Sequence, residues 1–152
     1  MGVLYDYFRA ADDATAIAIV ENGGPASRGR EDEGVDVVDA KGIDHAVILG
    51  KLIALVHGVT WNVKTSDSTL VWSYDEDEGP WLIALVDSTR DTLAAVPDAQ
   101  MPDLAAGWSQ IEEFTRFSPV TAEQMLPAVT EFVGLARRAV DAGDHLYCWC
   151  CL

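Results

Sequence analysis

Positive charge is scarce in this sequence. Ten Lys and Arg side chains stand against 25 Asp and Glu in 152 residues, for a formal net charge of −15. The deficit is even: residues 1–50 carry ten acids and four bases, 51–100 eight and three, 101–152 seven and three. A nucleic-acid binder gains affinity by setting Lys and Arg against phosphates, so the absence of any basic half excludes that class. The same sign argument disfavours an anionic bilayer. What the charge does fit is solubility, or the steering of a basic partner.

Long apolar runs are missing as well. The longest, around Trp81 to Val86, falls far short of the roughly 18 residues of a membrane span. Met1-Gly2-Val3-Leu4-Tyr5-Asp6 has no basic n-region followed by an apolar h-region, and Asp6 stands where a myristoylation motif wants Ser or Thr. A cytoplasmic location is expected, with the three cysteines kept reduced. The length suits one domain, burying on the order of two thirds of the unfolded surface without a disulfide or metal staple.

Signatures of known chemistry are lacking too. Gly107-Trp108-Ser109-Gln110-Ile111 fails the nucleophile-elbow pattern at its last position. Gly23-Gly24-Pro25-Ala26-Ser27-Arg28-Gly29 lacks the Gly-Lys-Ser/Thr ending of a phosphate loop. An EF-hand counted from Asp75 would need Gly and a carboxylate where Pro80 and Val86 stand. Cys148, Cys150, Cys151 and His145 are soft-metal ligand types. On a strand, however, Cys148 and Cys150 share one face, about 6–7 Å apart at the backbone, and the other two take the opposite face. That leaves Cys148 and Cys150 as the metal candidates, with burial as small hydrophobes the plainer role. No cofactor is expected.

The apolar pattern that is present alternates between strand and helix. Val3 to Phe8 alternates as an N-terminal strand, and 11–21 is an alanine-rich helix. Val35 to Val38 makes a short strand. Asp44 caps a helix running to His57 and stopped by Gly58. Val59, Trp61 and Val63 alternate, as do Leu70, Trp72 and Tyr74, which predicts a hairpin. Trp81 to Val86 is expected as a central strand, followed by a helix from Asp87 or Ser88 to Val96. Pro102 opens a helix through Phe114. Thr121 and Gln124 have capping-box spacing before a long helix that Gly143 ends, with Pro127 in conflict with so early a start. Leu146 to Leu152 closes the chain as a strand. The sum is an α+β domain over 1–152: a mixed or antiparallel sheet containing both terminal strands, packed with about four to five helices.

The order of pieces resembles the YfbM-like family of short uncharacterised bacterial proteins. The residues that carry it are the Met1-Gly2 start leading into a strand, Gly79-Pro80 before an apolar segment and a helix, and the last helix to Gly143 followed by a strand reaching Trp149. The resemblance implies an α+β fold and supplies no catalytic residue.

Two functional expectations follow. The leading one is a non-catalytic interaction module, of the immunity or antitoxin type, whose acidic loops 31–36 and 75–78 meet a basic protein. Asp75, Glu76, Asp77 and Glu78 would set its on-rate, and Trp72 or Trp81 would be the desolvated anchor. The alternative is a small hydrolase or ligand-binding enzyme. It would use Asp6, on the N-terminal strand with reduced solvation, together with a histidine such as His45. His45 and His57 lie about 18 Å apart on one predicted helix and cannot share a small site. A homodimer is the default assembly.

Overall fold

Both ends of the chain meet in the middle of one sheet. The computed structural model describes residues 3–25, 35–65, 67–117 and 119–152. The first strand, β1 (Leu4–Ala10), runs antiparallel to the last, β5 (His145–Cys151), with Asp6 opposite Trp149 and Tyr7 opposite Cys148. β2 (Val37–Asp39) pairs with the other side of β1. β4 (Trp81–Leu85) pairs with β5, and β3 (Ser68–Ser73) pairs with β4. The order is β2-β1-β5-β4-β3, antiparallel throughout.

Alternation then assigns residues to two faces. Tyr7, Leu146, Cys148 and Cys150 join the larger core. That core lies under α2 (Ile48–His57), α3 (Asp87–Ala94), α4 (Met101–Ser109) and α6 (Ala122–Ala142). Phe8, Ala10, Leu82 and Tyr147 pack on the opposite side against Ala16, Ile19 and Val20 of α1 (Asp13–Glu21). Tyr7 and Phe132 meet edge to face with ring centroids 4.9 Å apart. Trp108, fully buried, donates its indole N–H to the Ile48 carbonyl at 2.9 Å and so ties α4 to α2.

The helix ends are set by side-chain chemistry. Asp12 caps α1 by accepting from the Thr15 amide at 2.8 Å. The Thr121–Gln124 capping box forms, and α6 continues past Pro127, which lies inside it. The bond lost there is the one Pro127 could not donate to the Glu123 carbonyl.

Several expectations are corrected. Residues 59–64 are not a strand. Asn62 turns the chain there: its side-chain oxygen accepts from the Lys64 amide, and its amide donates to the Thr65 hydroxyl. Such local bonds compete with a ladder, so β3 pairs with β4 instead. β4 lies next to the edge strand, and the centre belongs to β5. Asp44 does accept from the Ala46, Val47 and Ile48 amides, but it holds a turn, and α2 itself starts at Ile48. The helix expected from Pro102 through Phe114 divides into α4 and α5 (Glu112–Phe117), giving six α-helices among the described residues. At the break, Ser109 turns its hydroxyl back to the Ala106 carbonyl at 2.7 Å.

Candidate functional site

The C-terminal end of α1 and the end of β3 frame an open concavity of about 690 Å³, lined by Val20, Glu21, Gly23, Trp72, Ser73, Tyr74 and Pro80. Trp72 is half-buried, and Tyr74 stands 80% exposed. Trp72 lies on β3 and Tyr74 just past its end, and both open onto the concavity. The acidic run Asp75, Glu76, Asp77 and Glu78 continues directly from Tyr74, and all four residues are exposed.

Asp75 organises that run. Its carboxylate accepts from the Glu78 amide at 2.9 Å and the Asp77 amide at 2.8 Å, which holds its pKa below the usual carboxylate value. The turn closes with the Gly79 amide donating to the Asp75 carbonyl. Gly79 has φ +67° and lies so close to the Trp81 ring that a Cβ there would come within 2.5 Å of it. Trp81 also donates its indole N–H to the Glu76 carbonyl at 3.2 Å. The structure thus uses Trp81 to brace the acidic turn, whereas Trp72 opens onto the concavity.

Among the described residues the acids here have no cation of their own. Arg9 pairs with Asp36 and Asp144, Arg90 with Asp87 and Asp91, Arg116 with Glu112, Arg137 with Asp98, Arg138 with Asp36, and Lys51 with Glu113. Among the described residues, no Lys or Arg pairs with Glu21 or with residues 75–78. The C-terminal end of α1 carries no basic residue in its last turn, so its partial negative charge adds to the same field. Of the acidic loop 31–36, residues 31–34 lie outside the described residues. Asp36 is taken up by Arg138 and Arg9, which hold its carboxyl below the usual range against the opposing effect of burial.

Asp6 occupies a different place on the α1 face of the sheet. It is 5% exposed, opposite Asp39 on one side and Trp149 on the other. Burial, then the Asp39 charge, raises its pKa from 3.8 to about 6. No hydrogen bond reaches its carboxyl among the described residues, and the buried indole Nε1 of Trp149 also lacks a partner. Gly24 lies against the Trp149 ring, where a Cβ would approach to 3.1 Å.

The structure does not bring a histidine to Asp6. His45 Nδ1 lies 3.2 Å from the Ser68 hydroxyl on β3, three strands away, and burial lowers its pKa. His57 meets Thr92, and His145 meets Asp87 at 2.7 Å. His145 is opposite Ala10, about 13 Å along β1 from Asp6. Cys148 and Cys150 do share a face, with their sulfurs 3.7 Å apart. Burial pushes the Cys148 thiol up, and its hydrogen bond to Cys150 holds the latter down. No group of three metal-ligand side chains exists among the described residues.

The sequence reading missed Glu21 and Tyr74. Tyr74 was legible in principle, since it alternates with Trp72 and precedes the acids. Glu21 was not, because its proximity to β3 depends on how α1 crosses the sheet.

No family model matches the chain, and no curated protein matches it. Among solved structures the chain is similar to a protein of unknown function, YfbM from Escherichia coli, at 12% identity and a TM-score of 0.44, over 97% of this chain and 99% of that one. That protein is the namesake of the family the sequence resembles. No helix among the described residues is long and apolar enough to cross a membrane.

Proposed function

We propose that the protein is a non-catalytic interaction module of the cytoplasm, of the immunity or antitoxin type, which binds a basic protein through the concavity between α1 and β3. The supporting observation is the exposed Tyr74 beside Trp72, set among Glu21 and Asp75–Glu78, none of which has a cation partner among the described residues. A Lys or Arg side chain resting on an aromatic face gains about 0.5–2 kcal/mol. The surrounding carboxylates contribute chiefly to encounter rate and partner choice. Trp72 is the anchor that loses water on binding.

Binding of a short poly-lysine, followed by tryptophan fluorescence at low and high salt, tests this reading. The triple substitution E76Q/D77N/E78Q is expected to slow association at low salt and to have little effect at high salt. Equal association rates for both proteins at low salt would remove the acidic turn from the interface.

A second reading, a ligand-binding enzyme centred on Asp6, is supported by the unpartnered carboxyl with its raised pKa. It lacks the histidine it was expected to use. A small-molecule screen monitored at the Trp149 indole N–H resonance tests it, and a screen without a single perturbation there removes it.

A further inference from the structure

β3 ends the sheet: β4 pairs with one side of it, and among the described residues no strand pairs with the other. The Tyr74 amide donates to the Pro80 carbonyl at 3.1 Å, so Tyr74 directs its backbone groups inward. By antiparallel alternation Ser73, one residue back, directs its N–H and C=O to the open side. The strand reads Ser-Thr-Leu-Val-Trp-Ser, with neither the charge nor the proline that commonly blunts an edge. A register shift between Leu70 and Trp72 marks a bulge. Bulges bend and twist a strand, so an added strand would pair with the stretch beyond it, residues 72–74, where Tyr74 leaves β3 but keeps its backbone bond to Pro80.

That same stretch floors the concavity, since Trp72, Ser73 and Tyr74 all line it. A strand added at Ser73 would run about 4.8 Å from β3, with every second side chain on the α1 face. There it meets Tyr74, Glu21 and the start of the acidic turn, a setting complementary to Lys or Arg and hostile to Asp or Glu. A second copy of this chain is a poorer occupant, because each copy carries a net charge of −15.

We infer that β3 receives an extended segment of basic chain, paired strand to strand at Ser73, with a Lys or Arg side chain seated between Tyr74 and Glu21. The inference rests on the proposed basic partner and adds the manner in which it is held. Main-chain bonds at Ser73 supply affinity, and the concavity supplies the choice of side chain.

The probe is the peptide acetyl-Lys-Thr-Val-Lys-Val-Thr-Lys-amide, titrated against the full chain by amide NMR up to about 1 mM. Shifts are expected at residues 72–74, and binding should weaken as salt rises. Methylating the peptide backbone nitrogens that face β3 keeps the charge and should weaken binding about tenfold. Ser73→Pro removes an outward N–H without touching the ladder to β4 and should do the same. If Ser73→Pro disturbs the amide spectrum beyond β3, the methylated peptide with the unaltered protein carries the test. Equal binding of the parent and methylated peptides, with salt sensitivity kept, overturns the strand pairing and leaves the acidic concavity as a binding surface. Discrimination against the methylated peptide without salt sensitivity removes the basic-partner reading, and the basic segment inferred here falls with it. No binding of the parent peptide at about 1 mM overturns the inference. So does sedimentation of the protein alone as a dimer that Ser73→Pro dissociates, which would assign the edge to a second copy.

Discussion

Asp6 and Trp149 face each other across the two strands that bring the chain ends together, one a buried carboxyl that accepts no hydrogen bond among the described residues, the other a buried indole N–H without a partner. An indole N–H taken from water without compensation, beside a carboxyl that burial partly desolvates, forms a local weakness on one sheet face. For Asp6 the weakness depends on pH. Its folded pKa of about 6 lies above the ordinary carboxyl value of 3.8, so the native state binds the proton more tightly than the unfolded chain. The native state therefore loses stability as pH rises from 3.8 through about 6, by at most about 3 kcal/mol. Asp6→Asn is expected to unfold at a higher urea midpoint than the unaltered protein above pH 7, with the gap closing near pH 4. A gap independent of pH would show that the carboxylate is not what destabilises the site.

Gly79 and Gly58 make a matched pair for a second test. Both have positive φ, +67° and +64°, but a Cβ at Gly79 would strike the Trp81 ring at 2.5 Å, whereas nothing lies within 4 Å of one at Gly58. Gly58→Ala should cost about 1 kcal/mol for the left-handed backbone alone. Gly79→Ala adds the collision and should cost about 2–4 kcal/mol. Thermal unfolding of the two variants measures the difference, and equal losses would mean that Trp81 moves aside freely.

The extent to which these features could be read from sequence follows the range of the interactions behind them. The capping box at Thr121 and the stop at Gly143 are local, and both formed as the spacing predicts. The strand at 59–64 did not form, because Asn62 and Thr65 satisfy the backbone within a few residues. The acidic run was visible, but the role of Trp81 was not, since only the fold brings its indole onto the Glu76 carbonyl. Asp6 was legible as a poorly solvated acid. Its separation from His45 was decided by strand order and from His145 by the pairing register of β1 with β5, neither of which periodicity encodes.

Tyr7 gives a test of the larger core. Its hydroxyl, buried in the molecule, donates to the Ile43 carbonyl at 2.6 Å and thereby fixes the loop that leads into α2. Tyr7→Phe keeps the ring against Phe132 but leaves that carbonyl without this donor. The expected loss is about 1–3 kcal/mol in urea unfolding, the cost of an unsatisfied buried acceptor. A loss under about 0.5 kcal/mol would mean that water takes the place of the hydroxyl.

The acidic turn separates structural from functional charge within four residues. Asp75 accepts two backbone hydrogen bonds, whereas the side chains of Glu76, Asp77 and Glu78 accept none among the described residues. Asp75→Ala should therefore destabilise the protein by about 1 kcal/mol, in the range of a lost cap. E76Q/D77N/E78Q should stay within about 0.5 kcal/mol of the unaltered protein, as exposed substitutions do. Binding should respond in the opposite order, with the triple variant slowing association of poly-lysine at low salt more than Asp75→Ala, because it removes three charges rather than one. Urea midpoints and stopped-flow fluorescence on the same two proteins give both comparisons. If the triple variant lost stability as well, these carboxylates would be part of the fold, and its slower binding could no longer be assigned to charge.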